Sequence, residues 1–192
     1  IRQKPLQRWL NDAICLANRT IYDASLSNPD CAGMGTTIVV SCLFGSKILI
    51  AHVGDSRAYV MRGGRLLRLT HDHSVLQDQI DAGYLSEEQA RYSAIKNLIT
   101  RAVGTQPELE VEIHAHDVYQ NDIFMLCSDG LTDMLNHDEI QGILDEYSHD
   151  LSVCTEMLVI AANQAGGTDN ISVVLFNAGS LPKKQSWVRR FF

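Results

Sequence analysis

The segment Phe124-Met-Leu-Cys-Ser-Asp-Gly-Leu-Thr-Asp-Met-Leu135 carries the strongest structural signal in this chain, because an apolar run ends in an acidic residue and a glycine. Residues 124–127 favour a buried strand, so Asp129 is expected where that strand leaves the core. An aspartate in such a place can be a catalytic nucleophile, a metal ligand or the N-cap of a helix that begins at Leu131. The segment alone leaves these three roles open.

Length and composition predict one globular domain. The chain has 192 residues, of which 45% are hydrophobic, and this is enough for a sizeable core. It contains no apolar stretch of the roughly 18 residues that predict a membrane helix and no signal-peptide pattern, so we expect a cytoplasmic protein. The net charge of −7, from 16 basic and 23 acidic residues, would repel phosphate backbones and disfavours nucleic acid as a partner.

The five cysteines are widely spaced and form no Cys-x-x-Cys pair, which argues against both a zinc site and a disulfide framework. Reduced thiols are therefore expected. Cys42 and Cys127 lie in apolar runs, so we predict that they are small core residues and not reactive nucleophiles.

Hydrophobic periodicity divides the chain into alternating strands and helices, as in an α+β fold. Steps of three and four predict a helix over residues 6–24, and glycine turns separate strands that are expected to form an antiparallel meander. Strands are predicted at residues 36–43, 47–53, 57–62, 65–69, 109–115, 123–128 and 171–176. Further helices are predicted at residues 74–82, 86–92, 137–145 and 151–165.

Three aspartates share one kind of position, at the end of a strand and beside glycine. Asp55 follows Gly54, Asp129 precedes Gly130, and Asp169 lies in Gly166-Gly-Thr-Asp-Asn170 just before the last strand. If these strand ends converge, the like charges raise one another's pKa and cost several kcal/mol unless cations neutralise them. Carboxylates without clustered cysteine or histidine are hard oxygen ligands, so Mg²⁺ or Mn²⁺ is expected and zinc is not.

Two other hypotheses fit the sequence less well than a metal site formed by these aspartates. A phosphotransferase in which Asp129 itself attacks phosphorus, as in haloacid-dehalogenase-like enzymes, would need a second aspartate at position 131, where this chain has Leu131. Such enzymes also have a parallel scaffold, whereas hairpins are predicted here. The histidine-rich His71-Asp-His73 is interpreted as a polar turn in preference to a metal site.

Four motifs, in this order, resemble the bacterial branch of the type 2C metal-dependent serine/threonine protein phosphatases: Gly33-Met-Gly-Thr-Thr37, Ala51-His-Val-Gly-Asp-Ser-Arg57, Leu126-Cys-Ser-Asp-Gly-Leu131 and Gly166-Gly-Thr-Asp-Asn-Ile-Ser172. Asp72-His-Ser74 and Asn97-Leu-Ile-Thr-Arg101 lie between them. The resemblance covers residues 6–176 and assigns residues 1–181 to the phosphatase domain, with residues 182–192 as a basic and aromatic tail. It implies a four-layer αββα sandwich of two antiparallel sheets with helices outside.

The resemblance also implies a mechanism and a set of roles. Asp129 and Asp169 match ligands of the catalytic metal pair, and Asp55 matches a ligand of a third ion, so two or three Mg²⁺ or Mn²⁺ ions are expected. A metal-activated water, and not Ser128, Thr132 or Cys127, would attack the phosphorus of phosphoserine or phosphothreonine. Gly54, Gly130 and Asn170 would shape the loops that carry the ligands. Residues 75–97 would form a flap that contacts the protein substrate.

The family's other metal ligands, an acidic pair and the aspartate of an Asp-Gly-Met-Gly-Gly motif, do not occur in this chain. Ala32 stands before Gly33-Met34-Gly35, where that aspartate would be. We therefore expect a domain that lacks its first strands and one helix, that needs the missing segment of the same protein as a partner, and that is weakly active or inactive alone. A pseudophosphatase that acts as a protein-binding module is the alternative. Targets of a bacterial Ser/Thr kinase are the expected substrates, in signalling.

Overall fold

The structure is a computed structural model that describes residues 3–86, 89, 93 and 98–179. The predicted tail, residues 182–192, and most of the predicted flap and of the helix 86–92 lie outside the described residues. Ser86 and Gln89 are described, and they form the two reciprocal contacts of a capping box: Gln89 N donates to Ser86 Oγ at 3.2 Å, and Ser86 N donates to Gln89 Oε1 at 2.9 Å.

The first sheet has three antiparallel strands in the order β1-β2-β5, where β1 is Ile38–Phe44, β2 is Lys47–Val53 and β5 is Glu112–Asp117. The hairpin of β1 and β2 turns at Gly45, whose φ of 58° is easy only for glycine. Helix α1, Gln3–Ser27, covers this sheet, with Ile14 and Ile21 packed on Ala51 and Val53. The helix predicted at 6–24 is thus confirmed and extends further at both ends.

The second sheet has four antiparallel strands in the order β4-β3-β6-β7. Strand β3 is Arg57–Arg62, β4 is Arg65–Arg68, β6 is Ile123–Cys127 and β7 is Val173–Asn177. The short helix α2, Val75–Asp81, follows β4 and is capped by Ser74. A single helical turn, α3 at Asp129–Thr132, follows β6, and then come α4, His137–Tyr147, and α5, Leu151–Gln164.

The two sheets pack face to face, and helices cover both outer faces. Ile50 of β2, Val60 of β3 and Phe124 of β6 meet between the sheets. The alternate residues of the second sheet, such as Tyr59 and Met125, face α4 and α5 instead. Strands buried on both faces explain why their sequences show apolar runs without alternation. The predicted four-layer αββα architecture is confirmed.

The simple meander was wrong, because β2 and β3, β4 and β5, and β5 and β6 are consecutive in the chain but belong to different sheets. At the first of these crossings, Gly54, Asp55 and Ser56 carry the chain from one sheet to the other. Gly54 has a φ of 102°, and a Cβ on it would lie 2.4 Å from Thr37 Cγ2. A side chain at position 54 would clash, so the connection between the two sheets requires glycine there, and Asp55 follows it within that connection. Within the described residues, no helix is long and apolar enough to cross a membrane.

Candidate metal centre

The register of the second sheet brings three strand ends to one edge. Arg57, the first residue of β3, pairs with Cys127, the last residue of β6, and Cys127 also pairs with Val173, the first residue of β7. Asp55 lies two residues before β3, Asp129 two residues after β6 and Asp169 four residues before β7. The predicted site aspartates therefore lie on three neighbouring loops at the same end of the sheet.

The loops that carry Asp129 and Asp169 are joined by direct contacts. Ser128 Oγ donates to the Asn170 carbonyl oxygen at 3.1 Å and accepts from Ser172 N at 3.0 Å. Gly130 faces the same carbonyl so closely that a Cβ would lie 2.4 Å from it. A larger residue at position 130 would push the two loops apart, so the glycine permits the close approach of Asp129 and Asp169.

The loop that carries Asp55 is held from both sides. Thr37 Oγ1 and Ser56 Oγ share a hydrogen bond of 2.8 Å. On the other side, His73 N donates to the Gly54 carbonyl oxygen at 3.0 Å, and Gly54 N donates to His73 Nδ1 at 3.1 Å. These contacts hold the residues immediately before and after Asp55 and therefore limit where its carboxylate can point.

The carboxylates of this edge repel one another. Burial, followed by the negative charge of Asp129, raises the pKa of Asp55 to about 6. Burial and the charges of Asp133 and Asp169 raise the pKa of Asp129 as well. Asp129 is thus coupled electrostatically to Asp55, Asp133 and Asp169. Each ionised neighbour makes ionisation of the next one more costly, which favours a nearby cation.

The donor set fits hard divalent cations. Among the residues that the structure describes, no lysine, arginine or histidine forms a salt bridge with Asp55, Asp129 or Asp169. Asp129 Oδ1 accepts from Gly130 N at 2.9 Å and Asp169 Oδ1 from Asn170 N at 2.6 Å, which leaves the second oxygen of each carboxylate available. Oxygen ligands of this kind suit Mg²⁺ or Mn²⁺.

One of the roles that the sequence left open for Asp129, that of an N-cap, receives no support. The N-cap of α3 is Ser128, and Asp129 is the first residue inside the helix. The neighbouring side chains are poor nucleophiles. Burial raises the pKa of the Cys127 thiol to about 12, and the Ser128 hydroxyl is already donor and acceptor in two hydrogen bonds. Cys127 is buried, as predicted, whereas Cys42 is only half-buried.

The segment His71-Asp-His73, interpreted as a polar turn, lies between β4 and α2 outside any helix or strand, but most of it is not at the surface. Asp72 and His73 are buried, at 6% and 7% exposure. His73 lies against Glu112 and is stacked on His52, and ligand atoms of these three residues are within 4.8 Å of one another. Sequence reasoning missed His52 and Glu112 because both lie within strands, where nothing marks them as neighbours of a residue in a later loop.

Asp133 was also missed. Its charge raises the pKa of Asp129, so it belongs to the acidic cluster electrostatically. The signal was present in the sequence, because four residues separate the two aspartates and a helical turn brings such residues to the same side.

Comparisons with known proteins match this chain to one family. Residues 3–79 match the model of the family described as Protein phosphatase 2C. The serine/threonine phosphatase stp of Listeria welshimeri is 35% identical over 178 residues, which are 93% of this chain and 70% of that protein. The protein phosphatase PhpP of Streptococcus pneumoniae is 35% identical over 170 residues, covering 88% of this chain and 68% of that protein.

Solved structures agree in fold as well as in sequence. The serine/threonine phosphatase of S. agalactiae superposes with a TM-score of 0.85 at 36% identity, covering 91% of this chain and 71% of that chain. The catalytic domain of the phosphatase PstP, solved in complex with 2 manganese ions, superposes with a TM-score of 0.78 at 31% identity, covering 86% and 68%.

Proposed function

This chain belongs to the protein phosphatase 2C family of metal-dependent protein serine/threonine phosphatases, and from this premise we propose that Asp55, Asp129 and Asp169 are its metal ligands. Asp129 and Asp169 hold the catalytic pair of ions, Mg²⁺ or Mn²⁺, and Asp55 helps to hold a third. The substrates are proteins phosphorylated on serine or threonine.

One observation carries the proposal: the three carboxylates lie on neighbouring loops at one sheet edge, and the pKa values of Asp55 and Asp129 are raised by burial and by the neighbouring negative charges. A purely structural cluster would have basic partners, and none forms a salt bridge with these three among the described residues. The manganese ions of the PstP complex support the same type of cation.

The side chains beside the carboxylates are poor nucleophiles, which is consistent with attack by water. When divalent cations are bound, they lower the pKa of a water and neutralise phosphoryl oxygens. The chain offers no competing nucleophile at the described edge. Cys127 is buried with a raised pKa, Ser128 is held by Asn170 and Ser172, and Thr132 Oγ1 donates to the Asp129 carbonyl oxygen at 3.4 Å. The role of the protein is to hold carboxylates close together and to keep the loops rigid.

We also propose that these three carboxylates hold the cations only weakly by themselves. Mg²⁺ and Mn²⁺ prefer about six oxygen ligands in an octahedron. Asp129 and Asp169 each have one oxygen occupied by a backbone N–H, so each offers one further oxygen. Additional acidic ligands, supplied by another segment of the same protein, would complete the shells. The natural substrates would be the targets of a bacterial Ser/Thr kinase.

The experiment that tests this function compares the chain with Asp129→Asn in Mn²⁺-dependent hydrolysis of a phosphothreonine peptide and of p-nitrophenyl phosphate. Loss of the Asp129 carboxylate removes a fixed charge from the site, and we expect kcat/KM to fall by about 10²- to 10³-fold. Asp138→Asn is the matched control, because Asp138 is an exposed aspartate in α4. It should leave kcat/KM unchanged.

A direct measurement of Mn²⁺ affinity accompanies the assay, so that a weakly active chain still gives an answer. Asp129→Asn should weaken Mn²⁺ binding relative to the chain and to Asp138→Asn. Equal affinity and equal turnover in all three proteins would contradict the assignment of Asp129 as a ligand. Robust turnover by the 192-residue chain alone would contradict only the proposal that its own carboxylates are insufficient.

A further inference from the structure

A buried polar cluster lies directly behind the Asp55 loop and is not explained by the metal ligands. It consists of His52 from β2, Glu112 from β5 and His73 from the segment between β4 and α2. His73 Nε2 lies 3.2 Å from Glu112 Oε2, and its Nδ1 lies 3.1 Å from Gly54 N. The His73 backbone N donates to the Gly54 carbonyl oxygen at 3.0 Å. His73 thus contacts both polar groups of the glycine that precedes Asp55.

The neighbours of His73 determine which ring nitrogen carries the proton. Gly54 N–H can only donate, so Nδ1 must present its lone pair. The Glu112 carboxylate accepts, so Nε2 carries the hydrogen. Arg101 Nη1 also lies 3.2 Å from Nε2. A guanidinium can only donate, and the single lone pair of a neutral imidazole is already used at Nδ1, so Arg101 cannot donate to Nε2 in this tautomer. The tautomer with the proton on Nε2 satisfies both Gly54 and Glu112, whereas the other tautomer satisfies only Arg101.

Arg101 has other partners that account for its position. Its Nη2 forms a salt bridge of 3.3 Å with Glu110, and its Nη1 lies 3.4 Å from the Glu110 carbonyl oxygen. The carboxylate of Glu112 is ionised and bound on two sides: burial alone would raise its pKa, but hydrogen bonds from His73 and His114 outweigh this and lower the pKa. Glu112 is therefore an ionised hydrogen-bond acceptor for the His73 ring.

The same tautomer argues against a metal ion held by His52, His73 and Glu112, although their ligand atoms are within 4.8 Å of one another. A metal on His73 Nε2 would move the ring proton to Nδ1, where it would face the Gly54 N–H, and two donors would oppose each other. His52 Nδ1 is buried without a hydrogen-bond partner among the described residues. Its ring stacks on His73 at 4.8 Å and 12°, and its Nε2 lies 2.7 Å from the His71 carbonyl oxygen.

We propose that His73 is a positioning residue for the metal centre: held by Glu112, its ring fixes the Gly54 peptide and thereby aims the Asp55 carboxylate. Gly54 is well suited to transmit this constraint, because its φ of 102° and its contact with Thr37 leave the peptide little freedom. The proposal rests on the assignment of Asp55 as a ligand. Residues that orient ligands from behind commonly affect metal affinity without touching the ion.

Two substitutions distinguish the contact made by Nδ1 of His73 from the contact made by Nε2. In His73→Asn, the amide oxygen can occupy the place of Nδ1 and accept from Gly54 N–H, whereas in His73→Gln the polar group reaches toward the place of Nε2 and Glu112. We expect His73→Asn, which keeps the Gly54 contact but loses the one to Glu112, to weaken Mn²⁺ binding only slightly. His73→Gln should weaken it by about ten- to a hundredfold. His71→Gln is the matched control, because the exposed His71 ring has Asp81, and not Gly54, as its hydrogen-bond partner among the described residues.

A measurement on the unaltered chain keeps the proposal testable if a variant fails to fold. The ¹⁵N chemical shifts of the His73 ring should report a neutral imidazole with its proton on Nε2. A proton on Nδ1, or equal Mn²⁺ affinity in the two folded variants, would overturn the proposal. So would stoichiometric Zn²⁺ binding that shifts the Nε2 resonance. If Asp129→Asn binds Mn²⁺ as well as the parent chain, the proposed function fails instead, and the ring tautomer is still measured independently.

Discussion

Two groups of aspartates in this molecule differ in the charge of their neighbours. Asp72 and Asp122, at 6% and 1% exposure, are each paired with arginine. Asp72 binds Arg57, with its Oδ2 2.6 Å from Arg57 Nη2, and also contacts Arg68. Asp122 accepts from Arg62 at 2.9 and 2.7 Å. At the sheet edge, by contrast, Asp55 and Asp129 have raised pKa values and are surrounded by other aspartates.

This contrast shows that aspartate can have a structural role or a binding role, depending on the charges around it. A buried carboxylate costs free energy unless a partner compensates its charge, and arginine does so within the fold for Asp72 and Asp122. Under the proposed assignment, bound cations would compensate the sheet-edge carboxylates. A buried aspartate that is paired with arginine therefore has a structural role. An aspartate that is repelled by neighbouring carboxylates is a candidate for cation binding.

The largest stability effect is expected from Asp72→Asn. The substitution leaves the charges of Arg57 and Arg68 without their common partner, and we expect the free energy of unfolding to fall by about 3 kcal/mol. Urea denaturation measures it. The matched control is Asp117→Asn, which breaks the exposed 2.8 Å pair between Lys47 and Asp117. Exposed pairs contribute roughly 0–1 kcal/mol, so an equal cost for the two variants would contradict the contrast.

A smaller loss is expected from Asp122→Asn. Asp122 accepts from Tyr119 N at 2.8 Å as well as from Arg62, so the amide preserves some contacts and places a donor against the guanidinium. We expect a cost of about 2 kcal/mol, typical of hydrogen bonds to a charged group. Thermal and urea unfolding measure it. A double-mutant cycle with Arg62→Met isolates the pair, and a coupling energy near zero would show that Arg62 and Asp122 act independently.

The smallest effect has the opposite sign. In metal-free protein the pKa of Asp55 is about 6 in the folded state against an ordinary value of 3.8. The folded state therefore binds more protons between these values, and the free energy of unfolding falls as the pH rises through that window. Asp55→Asn should flatten this fall and raise the free energy of unfolding at pH 7 by about 1 kcal/mol at most, after allowance for solvent screening.

Unfolding in EDTA at pH 4, 5, 6 and 7 tests this prediction, and Asp138→Asn serves again as the exposed control. A destabilising Asp55→Asn at pH 7 without metal would mean that the charge of Asp55 is compensated in the folded protein. That result would remove the contrast between the two groups of aspartates. Added Mn²⁺ should reverse the order and favour the parent chain over Asp55→Asn, because only the ionised carboxylate binds the cation strongly.

Local sequence patterns predicted most of the elements and the candidate ligands. Strand β6 and helices α4 and α5 lie within two residues of the predicted bounds, because apolar periodicity and caps such as Asn136 with Glu139 are local signals. Glycine beside Asp55 and Asp129 indicated the turns correctly. The assignment of these aspartates as metal ligands stays a prediction, as do the roles of Gly54, Gly130 and Asn170.

Sequence alone was enough for the order of strands and helices, the family and the type of residue at each strand end, since each depends on neighbours along the chain. The compensation of charges and the contacts between loops required the tertiary structure. It separated β2 from β3 into two sheets, and it brought His73 to Gly54 and Glu112, 19 and 39 residues away. Such contacts depend on the packing of whole sheets, which no local pattern encodes.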